Sequence, residues 1–80
     1  MKNMKYALIH YAEPIDHEEE VIEVLGESKD KGYLRKKLNE KVMWYLRCGG
    51  FLEEDGTPIP QKGDERWEFN GHKIYISEIG

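Results

Sequence analysis

One stretch, residues 28–50 (SKDKGYLRKKLNEKVMWYLRCGG), constrains the fold of this 80-residue chain more than any other. It is rich in Leu, Lys, Arg and Glu, whose side chains lose little rotamer freedom in a helix. Ser28 is placed to cap its start. Asp30 is a rival cap, or a first-turn acid favoured by the helix dipole. Gly49 and Gly50 supply a left-handed stop. At about 100° per residue, Leu34, Leu38, Val42 and Tyr45 fall on one stripe, with Leu46 and Cys48 at its edges. Gly32 costs roughly 1 kcal/mol against Ala inside a helix, which moves the regular start toward Tyr33.

The end of this helix breaks the amphipathic pattern. Met43, Trp44, Tyr45 and Leu46 are consecutive, so the last turns are apolar nearly all round. Met43 points away from the stripe and Trp44 sits on its flank. Either the loop after Gly50 folds back over them, or they form an exposed anchor for a partner protein or a second copy of the chain. Trp, Tyr and Met are enriched at interface centres, which gives the second alternative its physical basis. Lys29, Lys36 and Arg47 share the outer helical face.

The rest of the chain reads as short extended pieces. Residues 5–11 (KYALIHY) form a strand with β-branched and aromatic content, apolar on both faces and therefore central. Tyr6, Leu8 and His10 lie on one face, and Ala7, Ile9 and Tyr11 on the other. Residues 16–27 (DHEEEVIEVLGE) are open to two readings. Asp16 with Glu19 resembles a capping box. Three β-branched residues in Val21-Ile22-Glu23-Val24-Leu25, ended by Gly26, favour a strand hairpinned onto the first, with glutamates protecting its edge. Residues 51–64 are a long loop punctuated by Asp55-Gly56, Pro58, Pro60 and Gly63-Asp64. Ile59, extended between two prolines, can cover the helix end or reach a partner. Residues 66–76 are a β-hairpin with Asn70-Gly71 in a two-residue turn. Counting from the turn pairs Phe69 with His72, Glu68 with Lys73 and Trp67 with Ile74.

These elements predict an α+β fold in the order ββαββ, an antiparallel sheet packing one face on the 28–48 helix. The alternative order is β-α-α-β-β. A chain this short is one domain and buries only about 60% of its unfolded surface, so a homodimer would add useful burial.

Charge comes in blocks: −5 over residues 1–27, +5 over 28–47 and −4 over 48–80. A basic helix between acidic flanks implies internal complementarity, or two faces serving different partners. The net charge of −4 gives no bulk electrostatic case for nucleic acid. Cys48 is the only cysteine, which excludes an intramolecular disulfide and fits a reducing cytoplasm. No apolar run reaches the roughly 18 residues of a membrane span, and the N-terminus does not read as a signal peptide.

No catalytic, cofactor or metal site is expected. His10, His17, His72 and Cys48 lack metal-ligand spacing, although His10 and His72 can meet if their strands are neighbours. Cys48 at a helix C-terminus has its thiolate disfavoured by the dipole, and reads as a buried structural residue. The chain contains neither a Gly-x-Gly-x-x-Gly sequence nor a P-loop.

The helix, the Gly50-Phe51-Leu52-Glu53-Glu54-Asp55-Gly56 run and the hairpin superficially resemble the recognition helix and wing of winged-helix proteins. The acidic start of the would-be wing and the room for only one helix depart from that family. Lys29, Lys36 and Arg47 remain an alternative nucleic-acid surface. The run VIEVLGESKDKGYLRKKL resembles the strand and capped helix of short phage and mobile-element proteins, anti-CRISPR proteins among them. That resemblance implies a small non-catalytic inhibitor binding a host or defence protein and transfers no functional residue; the helix and loop residues themselves supply Met43, Trp44, Lys36, Arg47 and Ile59 as candidate contacts.

Overall fold

The computed structural model describes residues 4–14 and 19–79. They form β1 (Tyr6–Ala12), β2 (Val21–Ser28), α1 (Lys31–Cys48), a short 3-10 turn (Phe51–Glu53), β3 (Arg66–Phe69) and β4 (His72–Glu78). The four strands make one antiparallel sheet in the order β2-β1-β4-β3, and α1 packs on one of its faces. The ββαββ order is therefore correct, and residues 21–28 are a strand, which removes the two-helix alternative. The Asp16 capping box and most of the β1–β2 connection lie outside the described residues.

The Asn70-Gly71 turn sets the hairpin register as its chemistry requires. Asn70 and Gly71 both have positive φ, at 53° and 79°. Phe69 pairs with His72, Glu68 with Lys73 and Trp67 with Ile74. β1 is interior, paired antiparallel to both β2 and β4. The expected end of β2 at Gly26 is corrected by a bulge. Leu8 pairs with Gly26 but Ile9 with Val24, so Leu25 is the extra residue and packs against the core. The strand then continues to Ser28.

That continuation decides the helix cap. Ser28 still belongs to β2, and its hydroxyl accepts from the Asp30 amide at 3.0 Å. Asp30 is the N-cap, accepting from the Tyr33 amide at 3.3 Å, and α1 begins at Lys31 with Gly32 inside its first turn. Of the two closing glycines, Gly49 is right-handed and only Gly50 is left-handed, at φ 73°.

The core lies between α1 and the sheet. Leu34, Leu38, Val42 and Leu46 meet Leu8, Trp67 and Ile74. Leu46 thus completes the stripe where Tyr45 was expected. Tyr45 instead joins an aromatic layer at the helix end, with its ring 5.0 Å from His72, 5.7 Å from Phe51 and 6.0 Å from Trp67. Cys48, expected to be buried, is exposed, at the edge of the stripe that buries Leu34, Leu38, Val42 and Leu46.

Two side chains of the core elements hold the proline stretch of the 54–65 loop by its carbonyls. Trp67 Nε1 donates to the Pro58 carbonyl at 2.9 Å, and Asn39 Nδ2 donates to the Pro60 carbonyl at 3.4 Å. Pro60 is buried while Ile59 is 49% exposed, so extended backbone around the prolines turns Ile59 outward. The charge blocks are complementary within the chain: Lys31 and Arg35 of the basic helix grip Glu65, at 2.7 and 2.6 Å. Those two cations hold the Glu65 carboxyl below its ordinary pKa. No described helix is long and apolar enough to cross a membrane.

Candidate functional site

Three surfaces deserve comparison. The first is the outer side of α1. Lys36 and Arg47 are exposed on α1, whereas Lys29, expected on the same helical face, is exposed but precedes the Asp30 cap and lies outside the helix. The structure does not gather them with Ile59 into one cluster with shared contacts. Trp44 is 56% exposed, so the loop does not cover it; Met43, one residue earlier, is half-buried. The expected Met43–Trp44 anchor is therefore mainly Trp44. Its ring is flanked by Lys41, whose Nζ lies 4.9 Å from the ring centre.

Trp44 stands at the mouth of the second surface, a cleft of about 140 Å³ between α1 and the sheet. Its lining includes His10, Glu23, Lys41, Trp67 and His72. The two histidines are diagonal neighbours because β1 pairs with β4. Nε2 of His10 is 3.0 Å from Nδ1 of His72. Their ring centres are 5.2 Å apart and the planes differ by 25°. That separation is the N···N length plus a ring radius at each end, so the rings meet end to end rather than face to face. Each nitrogen aims at the other, the geometry of an N–H···N hydrogen bond.

Partial burial, then the neighbouring His72, then Lys41 push the His10 pKa below its ordinary value, against the pull of Glu23. The Glu23 carboxylate, 4.0 Å from Nδ1 of His10, therefore faces a mostly neutral ring at neutral pH. Among the described residues no group of three or more His, Cys, Asp or Glu side chains is arranged to hold a metal. The sequence allowed this His–His contact only conditionally, since strand order is a tertiary fact.

The third surface, missed at the sequence level, is the sheet face away from α1. No described helix or strand lies over it. Register places two complete rows of side chains there. One row is Val24, Ile9, Tyr75 and Arg66; the other is Ile22, Tyr11, Lys73 and Glu68. Ile22 is 61% and Val24 58% exposed. Lys73 lies 3.9 Å from Glu68 and 5.9 Å from the Tyr11 ring centre. The Tyr11 hydroxyl donates to Glu20 at 3.0 Å, which raises the Tyr11 pKa. A shallow groove of about 750 Å³ runs along this face beside Tyr11, Tyr75 and Arg66. Two apolar side chains mostly exposed on one strand are a contact signal, since single exposed ones are ordinary but adjacent ones are not.

No protein-family model matches this chain, and no match is found among curated proteins or solved structures.

Proposed function

We propose that this chain is a non-catalytic protein-binding module that uses Trp44 as its anchor. The observation that carries the reading is the exposure of Trp44 beside a cleft lined by Tyr45, Trp67 and the His10–His72 pair, with Glu23 and Lys41. A tryptophan left in solvent at a helix–sheet seam costs hydration of a large apolar ring. It gains most when a partner covers it, which is why Trp dominates interface hot spots. Lys41 over the ring and Glu23 across the cleft supply a polar rim of both signs. Met43, Lys36, Arg47 and Ile59 are peripheral candidates.

The partner class is a host or defence protein, and the module acts by occupying its surface, as the likeness to phage-type inhibitors implies. The exposed Lys29, Lys36 and Arg47 support an alternative contact with nucleic-acid phosphates.

Affinity capture from host lysate with wild type and Trp44→Ala, followed by titration of the purified captured protein, tests the proposal. Truncating the anchor should weaken the complex by about 2 kcal/mol or more, the scale of an interface hot spot. Equal affinity of both forms removes Trp44 from the interface. A steeply salt-dependent mobility shift with DNA or RNA, abolished by Lys36→Glu with Arg47→Glu, would favour the alternative.

A further inference from the structure

We propose that the open face of the sheet is a self-association surface, on which a second copy of this chain docks about a two-fold axis running across the strands. The proposal rests on the two rows of that face and is independent of Trp44. Sheets stacked face to face lie about 10 Å apart, close enough for the side chains of the two inner faces to interdigitate.

A two-fold axis across the strands, between the rows, exchanges one row for the other. Val24 then meets the copy's Ile22, and Ile9 meets its Tyr11. Tyr75 meets its Lys73, and Arg66 meets its Glu68. By symmetry each contact occurs twice. From the β2 edge to the β3 edge the columns are an aliphatic pair, an aliphatic side chain on an aromatic ring, a cation on an aromatic ring, and an ion pair.

The other face-to-face two-fold, parallel to the strands, keeps the rows and reverses their order. It sets Val24 on Arg66 and Ile22 on Glu68, stranding charges on aliphatic side chains. The distribution of residue types over the face therefore selects both the occupant and its orientation. Arg66 fits this role: it is exposed and makes no ion pair among the described residues, whereas Glu68 reaches only Lys73, at 3.9 Å. The rotation of about 30° usual between stacked sheets moves the outer columns most. At the β3 edge the long side chains of Arg66 and Glu68 absorb the shift, and at the β2 edge Val24 and Ile22 make non-directional aliphatic contacts that tolerate sliding.

Analytical ultracentrifugation of the full chain, from about 1 μM to about 1 mM, tests this directly. Wild type should show a reversible monomer–dimer equilibrium. Ile22→Glu and Val24→Lys, both at exposed positions, should each leave only monomer, with circular dichroism reporting that the fold is kept. Arg66→Glu or Glu68→Arg alone should weaken the dimer at least about tenfold. The double charge swap should restore it, and mixing the two single variants should give a heterodimer. Trp44→Ala should leave self-association unchanged.

A monomer across the whole range overturns the proposal. So does a dimer indifferent to both Ile22→Glu and Val24→Lys, or a double swap no stronger than the single variants. Dimer loss on Trp44→Ala would move the contact to the helix side.

Discussion

On one face of the sheet Leu8, Trp67 and Ile74 are at most 5% exposed, while on the other Ile22 and Val24 keep more than half their surface in water. β1, β3 and β4 supply the buried set, and the edge strand β2 supplies the exposed pair. Two things separate them: α1 covers only one face, and β2 has a neighbouring strand on one side only. Burial in this chain thus depends on neighbours above and beside a residue: Ala7, on the open face but in interior β1, is 2% exposed, while Val21 on edge strand β2 is 53% exposed. A β-branched side chain without a cover is surface held ready for one.

The largest expected effect tests the covered face. Leu38→Ala should cost about 2–5 kcal/mol in urea or guanidinium unfolding, because transfer and cavity terms add at a fully buried site. Ile22→Ala on the open face should cost within about 0.5 kcal/mol under conditions where the chain is monomeric. Comparable losses would mean that the open face is covered as well, and would erase the contrast.

Next comes the contact that holds the loop. Trp67→Phe keeps an aromatic ring in the core but leaves the Pro58 carbonyl without its donor, for about 1–3 kcal/mol. Faster amide exchange around residues 57–61 should accompany it. A loss of stability with no change there would place the whole effect in core packing. At the helix start, Asp30→Ala should lose about 1 kcal/mol and Ser28→Ala less, measured by the same unfolding curves. The opposite order would return the cap to Ser28.

The smallest and most diagnostic effect is pH dependence. His10 has a lowered folded pKa, so the folded state binds fewer protons than the unfolded chain between the two values. Its contribution is complete above the ordinary histidine value of about 6.5 and is lost as pH falls below it. Glu65 also has a lowered pKa, so its contribution declines further down, through the carboxylate range. Unfolding titrations should show both limbs. His10→Gln should flatten the upper one, and Glu65→Gln the lower. An unchanged upper limb in His10→Gln would mean that the seam histidine does not set it.

Much of the architecture was legible locally. The hairpin register follows from Asn70-Gly71, because a two-residue turn with both φ positive leaves one pairing. Leu34, Leu38 and Val42 follow from helical period. The choice between Tyr45 and Leu46 did not, since both lie near the stripe and only the sheet's position separates them. Ser28 looked like the cap because its hydroxyl chemistry suits that role. The bulge that keeps Ser28 in β2 is invisible in a one-dimensional pattern. Cys48 read as buried because small apolar side chains usually are, yet it lies at the edge of the stripe that buries Leu38, Val42 and Leu46, and is exposed. For the contact surfaces, Trp44 was already conspicuous in sequence as a large ring off the stripe. The open-face rows were not, because each joins residues from all four strands.

By itself, then, the sequence determined one helix from its period, one hairpin from its turn and one strand from its β-branched and aromatic run, and left residues 16–27 between strand and helix. Those are decided by interactions within a few residues. Only the tertiary structure decided that β1 lies between β2 and β4. That single adjacency brings His10 to His72, aligns Val24 with Arg66 across the sheet, and gives α1 one face to cover. It is set by how the whole apolar surface is best buried, which no local stretch of the chain encodes.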